Sequence, residues 1–131
     1  MVLFTKAEKE FLAKNEACRL ATCHDNIPHV VPVSYVFEND VFYFATDLET
    51  RKLANIMKNN KVALAVDVYS SVANMAMCVQ GTAKVIDRGP EFKRLYEIFS
   101  QKFEWVRRDP WKEGGAPFVR VAPTSKASWG I

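Results

Sequence analysis

Glycine is scarce in this chain of 131 residues, with five, and so is cysteine, with three. With only six prolines besides, there is no room for a collagen-like repeat, a low-complexity linker or a disulfide-stapled miniprotein. Cys18, Cys23 and Cys78 are odd in number and form no CxxC pair, the usage of reduced thiols. Long hydrophobic runs are missing: the cleanest, Val62 to Val66, is far short of the roughly 20 residues that cross a bilayer. Met1-Val2-Leu3-Phe4 runs at once into Lys6, Glu8, Lys9 and Glu10, so the apolar centre of a secretory signal is lacking. These absences predict a cytoplasmic protein with no membrane partner. Charge of one sign is also in short supply. The net charge of +3 is too weak a bias to imply nucleic acid. There is no GxGxxG, no Walker-type GxxxxGK, no HExxH and no GxSxG, which disfavours dinucleotide folds, P-loop NTPases, zincins and nucleophile-elbow hydrolases.

What remains is an ordinary globular composition, 49% hydrophobic and 25% charged, at the length of one domain spanning residues 1–131. Thr5-Lys6-Ala7-Glu8 is a capping box that opens a helix of about ten residues, with Phe11 and Leu12 as its apolar contacts. Three extended stretches follow, Ala17 to Cys23, Ile27 to Phe37 and Val41 to Ala45. They are separated by Asp25-Asn26 and Asn39-Asp40, pairs that tolerate the left-handed backbone of tight hairpins. From Arg51 to Asn60 the period becomes helical, with Leu53, Ile56 and Met57 on one face. Val62 to Val68 reads as a buried strand. Met75 to Ile86 reads as a long one, bent near Gly81. Pro90 opens a helix with an apolar stripe of Phe92, Leu95, Tyr96, Phe99 and Phe103, and a last strand runs from Phe118 to Val121. The pattern predicts a mainly β fold, a six-stranded antiparallel barrel with a few peripheral helices.

Two places carry chemistry. Thr50, Arg51 and Lys52 stand where a strand gives way to a helix. Free backbone amides, a positive dipole, a forked guanidinium and an ammonium there suit a phosphate; a solvated helix start is the plain alternative. The stretch from His29 to Phe37 is apolar on both faces, with Val31, Val33, Tyr35 and Phe37 on one and Val30, Pro32 and Val36 on the other. Such a strand calls for a covering layer from a helix or a second subunit. Pro32 cannot donate to a ladder, so a backbone edge there is open to a planar heterocycle or is simply a harmless edge. Cys18, Cys23, His24 and His29 do not make a convincing metal set, because an extended chain turns Cys18 and Cys23 to opposite faces. Trp105 and Trp111 among Lys102, Arg107, Arg108 and Lys112 read as a core edge or dimer seam rather than a nucleic-acid surface.

In order along the chain, Arg19-Leu20-Ala21-Thr22, Ile27 to Tyr35, Val41 to Asp47, Arg51 to Ile56, Asn60 to Leu64, Gly81-Thr82-Ala83, Pro123 and Trp129 resemble the pyridoxamine 5'-phosphate oxidase-like flavoproteins. These are FMN-binding split β-barrels of Greek-key type. The resemblance implies a homodimer with two FMN molecules at its interface, and redox chemistry with a small-molecule substrate or electron donor. It implies that the strand Val30, Val31, Pro32, Val33 and Ser34 lines the isoalloxazine ring, with Ala45 and Thr46 on the next strand. Thr50, Arg51 and Lys52 would hold the phosphate, while Asn74, Ala76 and Trp129 come from the other subunit or close the pocket. The oxidase's flavin-contacting glutamine has no counterpart, Ala76 standing in its place with Asn74 nearby. The oxidase's substrate-holding arginine and histidine are also absent after Trp129, which speaks against pyridoxamine phosphate as substrate. The resemblance leaves two alternatives within the fold. One is an F420-dependent reductase. The other is a non-catalytic flavin or haem carrier, with His24 or His29 as axial ligand.

Overall fold

The computed structural model describes residues 2–131, and among them six strands form one closed antiparallel barrel in the order β1-β2-β3-β6-β5-β4. Helix α1 (Lys6–Lys14) comes first, opened by the capping box expected from its sequence: Thr5 accepts from the Glu8 amide, and Glu8 accepts from the Thr5 amide. Strands β1 (Ala17–His24), β2 (Ile27–Glu38) and β3 (Val41–Ala45) form a meander. Both of its turns place two non-glycine residues at positive φ: Asp25 at 52° and Asn26 at 59°, then Asn39 at 53° and Asp40 at 63°. That pair of left-handed residues matches the twist of the flanking strands, so the turns fix the register of all three. Helix α2 (Arg51–Lys58) carries the chain across to β4 (Lys61–Tyr69), which pairs with β1. A meander whose fourth strand returns beside the first is a Greek key.

Strand β5 (Asn74–Ile86) is long, and its register with the last strand shifts between Gln80 and Gly81, where the partner carries one extra residue, Thr124. Glycine is required there, since a Cβ on Gly81 would lie 2.7 Å from the Ala122 carbonyl oxygen. Helices α3 (Pro90–Lys102) and α4 (Glu104–Arg108) lead into β6 (Phe118–Trp129). The sequence predicts neither α4 nor the full reach of β6. A helix of five residues shows too little periodicity to be seen, and Pro123 reads as a stop. In the barrel Pro123 sits opposite Gly81, beside the extra residue Thr124, where no ladder hydrogen bond is lost, and the strand runs on.

Two cores follow from this geometry. The barrel interior is filled by Leu20, Tyr35, Phe42, Phe44, Met77 and Val121, with Leu12 of α1 closing one side. Outside the barrel, Phe92, Leu95 and Phe99 of α3 and Val106 of α4 cover Val36, Tyr43 and Phe118. Two elements differ from their expected burial. Strand β4 alternates, with Val62, Leu64 and Val66 inside and Val68 exposed, so only one of its faces is buried. On α2, Met57 is 69% exposed, and Asn55 takes the inward position with Leu53 and Ile56. No helix among the described residues is long and apolar enough to cross a membrane.

Candidate functional site

Strand β2 is paired on both edges for only part of its length. Its whole run from Ile27 to Ser34 pairs with β1, whereas β3 covers only Tyr35 to Glu38. In a two-residue hairpin the residues flanking the turn exchange hydrogen bonds, and bonded pairs then recur at every second residue. His24 with Ile27 sets that phase, and the bond from the Tyr35 amide to the Glu16 carbonyl at 2.9 Å keeps it. Odd-numbered residues of β2 therefore bond to β1. The amides of Val30 and Ser34, with the carbonyls of Pro28, Val30 and Pro32, face the open edge. Both prolines sit where their missing N–H costs the ladder nothing. The side chains divide in the same rhythm: Val33 packs on the interior cluster with Tyr35, while Val30 on the outer face is 67% exposed. The covering layer expected over that outer face exists only at Val36, beneath α3.

Where β3 leaves the sheet, the chain turns into α2. Thr46 is buried, held by its amide on the Pro117 carbonyl at 3.0 Å. Its hydroxyl lies 2.9 Å from that of Thr50, and both hydroxyls donate to the Asp47 carbonyl at 3.1 Å. Thr50 is the N-cap, accepting from the Leu53 amide at 3.4 Å. This leaves the amides of Arg51 and Lys52, first in the helix, without a protein acceptor among the described residues. Neither of their side chains enters an ion pair there, and no acidic side chain stands in the first turn to balance them. The helix itself is anchored from beneath: Asn55 donates to the Thr22 hydroxyl at 3.0 Å, and Asn59 to the Cys23 carbonyl at 3.0 Å.

His29, the cross-strand partner of Thr22, has its Nδ1 buried with no hydrogen-bond partner. A buried polar atom left unpaired costs about 1–3 kcal/mol, so a place beside the open edge awaits a polar group. His24 is engaged at the surface with Asp25 at 3.2 Å. Burial pushes the Cys18 thiol up to about 12, which leaves it inert at neutral pH. Cys23 is half-buried on the other face of β1, and among the described residues no three His, Cys, Asp or Glu side chains converge on a metal position.

Asn74, Ala76 and Trp129 form a second group. Trp129 Nε1 donates to Asn74 Oδ1 at 2.6 Å, and Ala76 pairs with Trp129 across the β5–β6 ladder. Gly130, at φ 73°, lets the chain pass Asn74, whose carbonyl oxygen would lie 2.2 Å from any Cβ there. This group is remote from the first within one chain. Phe118 of β6 pairs with Ala45, and Trp129 is at the strand's other end, up to roughly 36 Å along it. The structure thus brings Ala45, Thr46, Thr50, Lys52 and the open edge of β2 together, and sets Asn74, Ala76 and Trp129 apart.

Beside the first group is a cavity of about 380 Å³ that reaches from Thr46 and Lys52 to Trp105 and Trp111. The sequence does not place the two tryptophans there, because α4, which carries Trp105, and the loop from Asp109 to Pro117, which carries Trp111, fold them against the end of β3. A second, shallower groove of about 570 Å³ runs over the outer face of β1, β4, β5 and β6, floored by Ala21, Ala63, Ala65 and Ala127 beside Val30.

The family model described as pyridoxamine 5'-phosphate oxidase matches residues 4–129. The chain belongs to that family. Among solved structures it is similar to a FAD-binding protein from Mesorhizobium loti, with TM-score 0.77 and 20% identity over 95% of this chain and 94% of that one. It is similar to the haem storage protein HutZ from Vibrio cholerae, with TM-score 0.80 and 15% identity over 91% and 89%. A FAD-binding protein from Mycobacterium smegmatis is also similar, at TM-score 0.70 and 20% identity over 98% and 97%. No curated protein matches the sequence. At these identities the solved structures share the barrel, and the choice of ligand rests on the site.

Proposed function

We propose that this member of the pyridoxamine 5'-phosphate oxidase family is an FMN-binding redox protein whose sites are completed by a second copy of the chain. The observation that carries the reading is the meeting of an open backbone edge on β2 with the unbalanced helix start at Arg51 and Lys52. A flavin ring has a hydrogen-bonding rim that suits the free groups of Val30, Pro32 and Ser34. Its phosphate suits two free amides, a guanidinium and an ammonium at a helix N-terminus. The unpaired Nδ1 of His29 is a further polar contact available beside that edge. Bound FMN would supply hydride and single-electron chemistry, and the chain's own residues position it. Val31 and Val33, facing inward, serve by fixing the strand. Ala45 and Thr46 shape the corner between ring and phosphate.

The second copy is supported by surface area. The chain exposes 7832 Å², against about 7000 Å² expected of a compact 14.9 kDa monomer. The apolar groove with Val30 at its margin is the face to be covered, and it brings Asn74, Ala76 and Trp129 of one copy toward the flavin of the other.

The test is the visible spectrum of the purified protein, followed by titration with FMN and with riboflavin. The two bands of oxidised flavin are expected, and Arg51→Ala with Lys52→Ala should weaken FMN by tenfold or more while changing riboflavin little. A colourless protein that fails to take up FMN overturns the reading. A single visible band in place of the two would replace it with haem or F420.

A further inference from the structure

The cavity beside Lys52 has features that the flavin reading does not use. One wall is indole: Trp105 and Trp111 are parallel within 6°, their ring centroids 6.0 Å apart. Trp111 is fixed in place. Its Nε1 donates to the Ala116 carbonyl at 3.0 Å, and Tyr96 meets its ring nearly edge-on at 5.0 Å. Trp105, stacked on that fixed partner and also against Phe103 at 6.0 Å, is still 40% exposed. An indole braced by two aromatic neighbours and still part-exposed offers its remaining surface to another flat ring.

Charge narrows what that ring is. Asp47 and Asp109 line the same cavity, and among the described residues neither carboxylate has an ion pair or a side-chain hydrogen bond. Lys52 is the one cation in the lining, so two negative charges face one positive. The face of an indole is itself the negative side of its quadrupole and attracts cations. With Lys52 taken by the flavin phosphate, both features favour a positive guest over a further anion. The volume of about 380 Å³ is at the small end of ligand pockets, room for one ring or two fused rings with substituents.

We propose that this cavity binds a planar, cationic heteroaromatic ring of the N-alkylpyridinium kind, stacked on Trp105 with Asp109 as counter-charge. The site is defined by the chain's own side chains. Resting on the flavin reading, it is also the seat of the flavin's reaction partner, because Ala45, Thr46 and Lys52 belong to both cavity and anchor.

The experiment uses 1-methylnicotinamide as probe and nicotinate as an anion of similar size. Each is titrated into ¹⁵N-labelled protein while the three indole N–H signals are followed. Saturable shifts of Trp105 and Trp111 with Trp129 unmoved are expected, with nicotinate at least about tenfold weaker. Trp105→Leu should weaken 1-methylnicotinamide by about five- to thirtyfold, Trp105→Phe by much less, and Asp109→Asn should erase most of the preference over nicotinate. No saturable shift, equal binding of the anion, or movement of Trp129 instead overturns the proposal. The two readings separate on FMN. If Trp105→Leu also loses FMN, the indoles belong to the flavin's own site, and this proposal falls while the flavin reading stands. If wild-type protein takes 1-methylnicotinamide at the indoles and never FMN, the flavin reading falls and the cavity's selectivity stands.

Discussion

Glu8 ties the two ends of the chain together. It closes the capping box of α1 and also receives Lys126 and, at 2.8 Å, the Ser128 hydroxyl from β6. Burial alone would raise its pKa. The Lys126 ammonium, the Thr5 amide and the Ser128 hydroxyl outweigh burial and bring it from 4.5 down to about 2. A carboxylate depressed on folding contributes stability in full above its unfolded value and loses it as pH falls through the folded one. The loss should therefore occupy the window between about pH 4.5 and 2. Glu8→Gln should lower unfolding stability at pH 7 by about 1–3 kcal/mol. The gap from wild type should close across that acid window, as read by urea denaturation at a series of pH values. A gap that persists unchanged at pH 2 would mean that the charge is not what Glu8 contributes. Because Ser128 adjoins Trp129, the same substitution should also loosen the indole's bond to Asn74, visible as faster exchange of the Trp129 indole N–H.

Helix α2 owes its position to asparagines as well as to the apolar contacts of Leu53 and Ile56. Asn55, 9% exposed, reaches the Thr22 hydroxyl, and the side chain of Asn59 reaches the Cys23 carbonyl. Asn55→Ala strands the Thr22 hydroxyl, and should cost about 1–2 kcal/mol in thermal or chemical unfolding. It should also weaken FMN more than riboflavin, since the phosphate end moves with the helix. An equal loss for both ligands would separate the helix from the phosphate. This element shows what the sequence carried and what it withheld. The hairpins at Asp25-Asn26 and Asn39-Asp40, the cap at Thr5, the Pro90 helix start and the irregularity at Gly81 were legible because each is a local conformational demand on one or two residues. The inward turn of Asn55 and outward turn of Met57 were not, because only β1 lying beneath α2 decides between them. The sequence ends β6 short for a similar reason: Pro123 is harmless only because β6 bulges beside it at Thr124, opposite Gln80 and Gly81. Of the site, the residues at the helix start could be found from residue type. The opening of β2 depends on where β3 stops, and the indole wall depends on how a loop folds, neither of which is a property of local sequence.

The barrel leaves one face of the molecule dressed for contact. Across β1, β4 and β6 the outward residues Ala21, Ala63, Ala65 and Ala127 are small and apolar, with Cys78 of β5 between them and Val30 at the edge. Small side chains expose the backbone relief of a sheet and allow another sheet to approach closely. The charged pair that crosses the face among the described residues, Arg19 with Asp67 at 3.2 Å, is already neutralised within the chain. If two copies meet here, a large cation in the middle of the face must either lose its water or hold the copies apart, and desolvating an unpaired charge costs several kcal/mol. Ala65 is central to the groove and half-buried, so Ala65→Arg leaves the barrel interior untouched. Sedimentation equilibrium should give wild-type protein at twice 14.9 kDa and the variant at the monomer mass. With circular dichroism and the unfolding midpoint unchanged, the monomer should bind FMN at least about tenfold more weakly, since its own Asn74 and Trp129 are at the far end of β6 from its own phosphate anchor. A variant that stays dimeric would place the interface elsewhere. A monomer that keeps full FMN affinity would show that one chain makes a whole site, and that the second group of residues has no part in it.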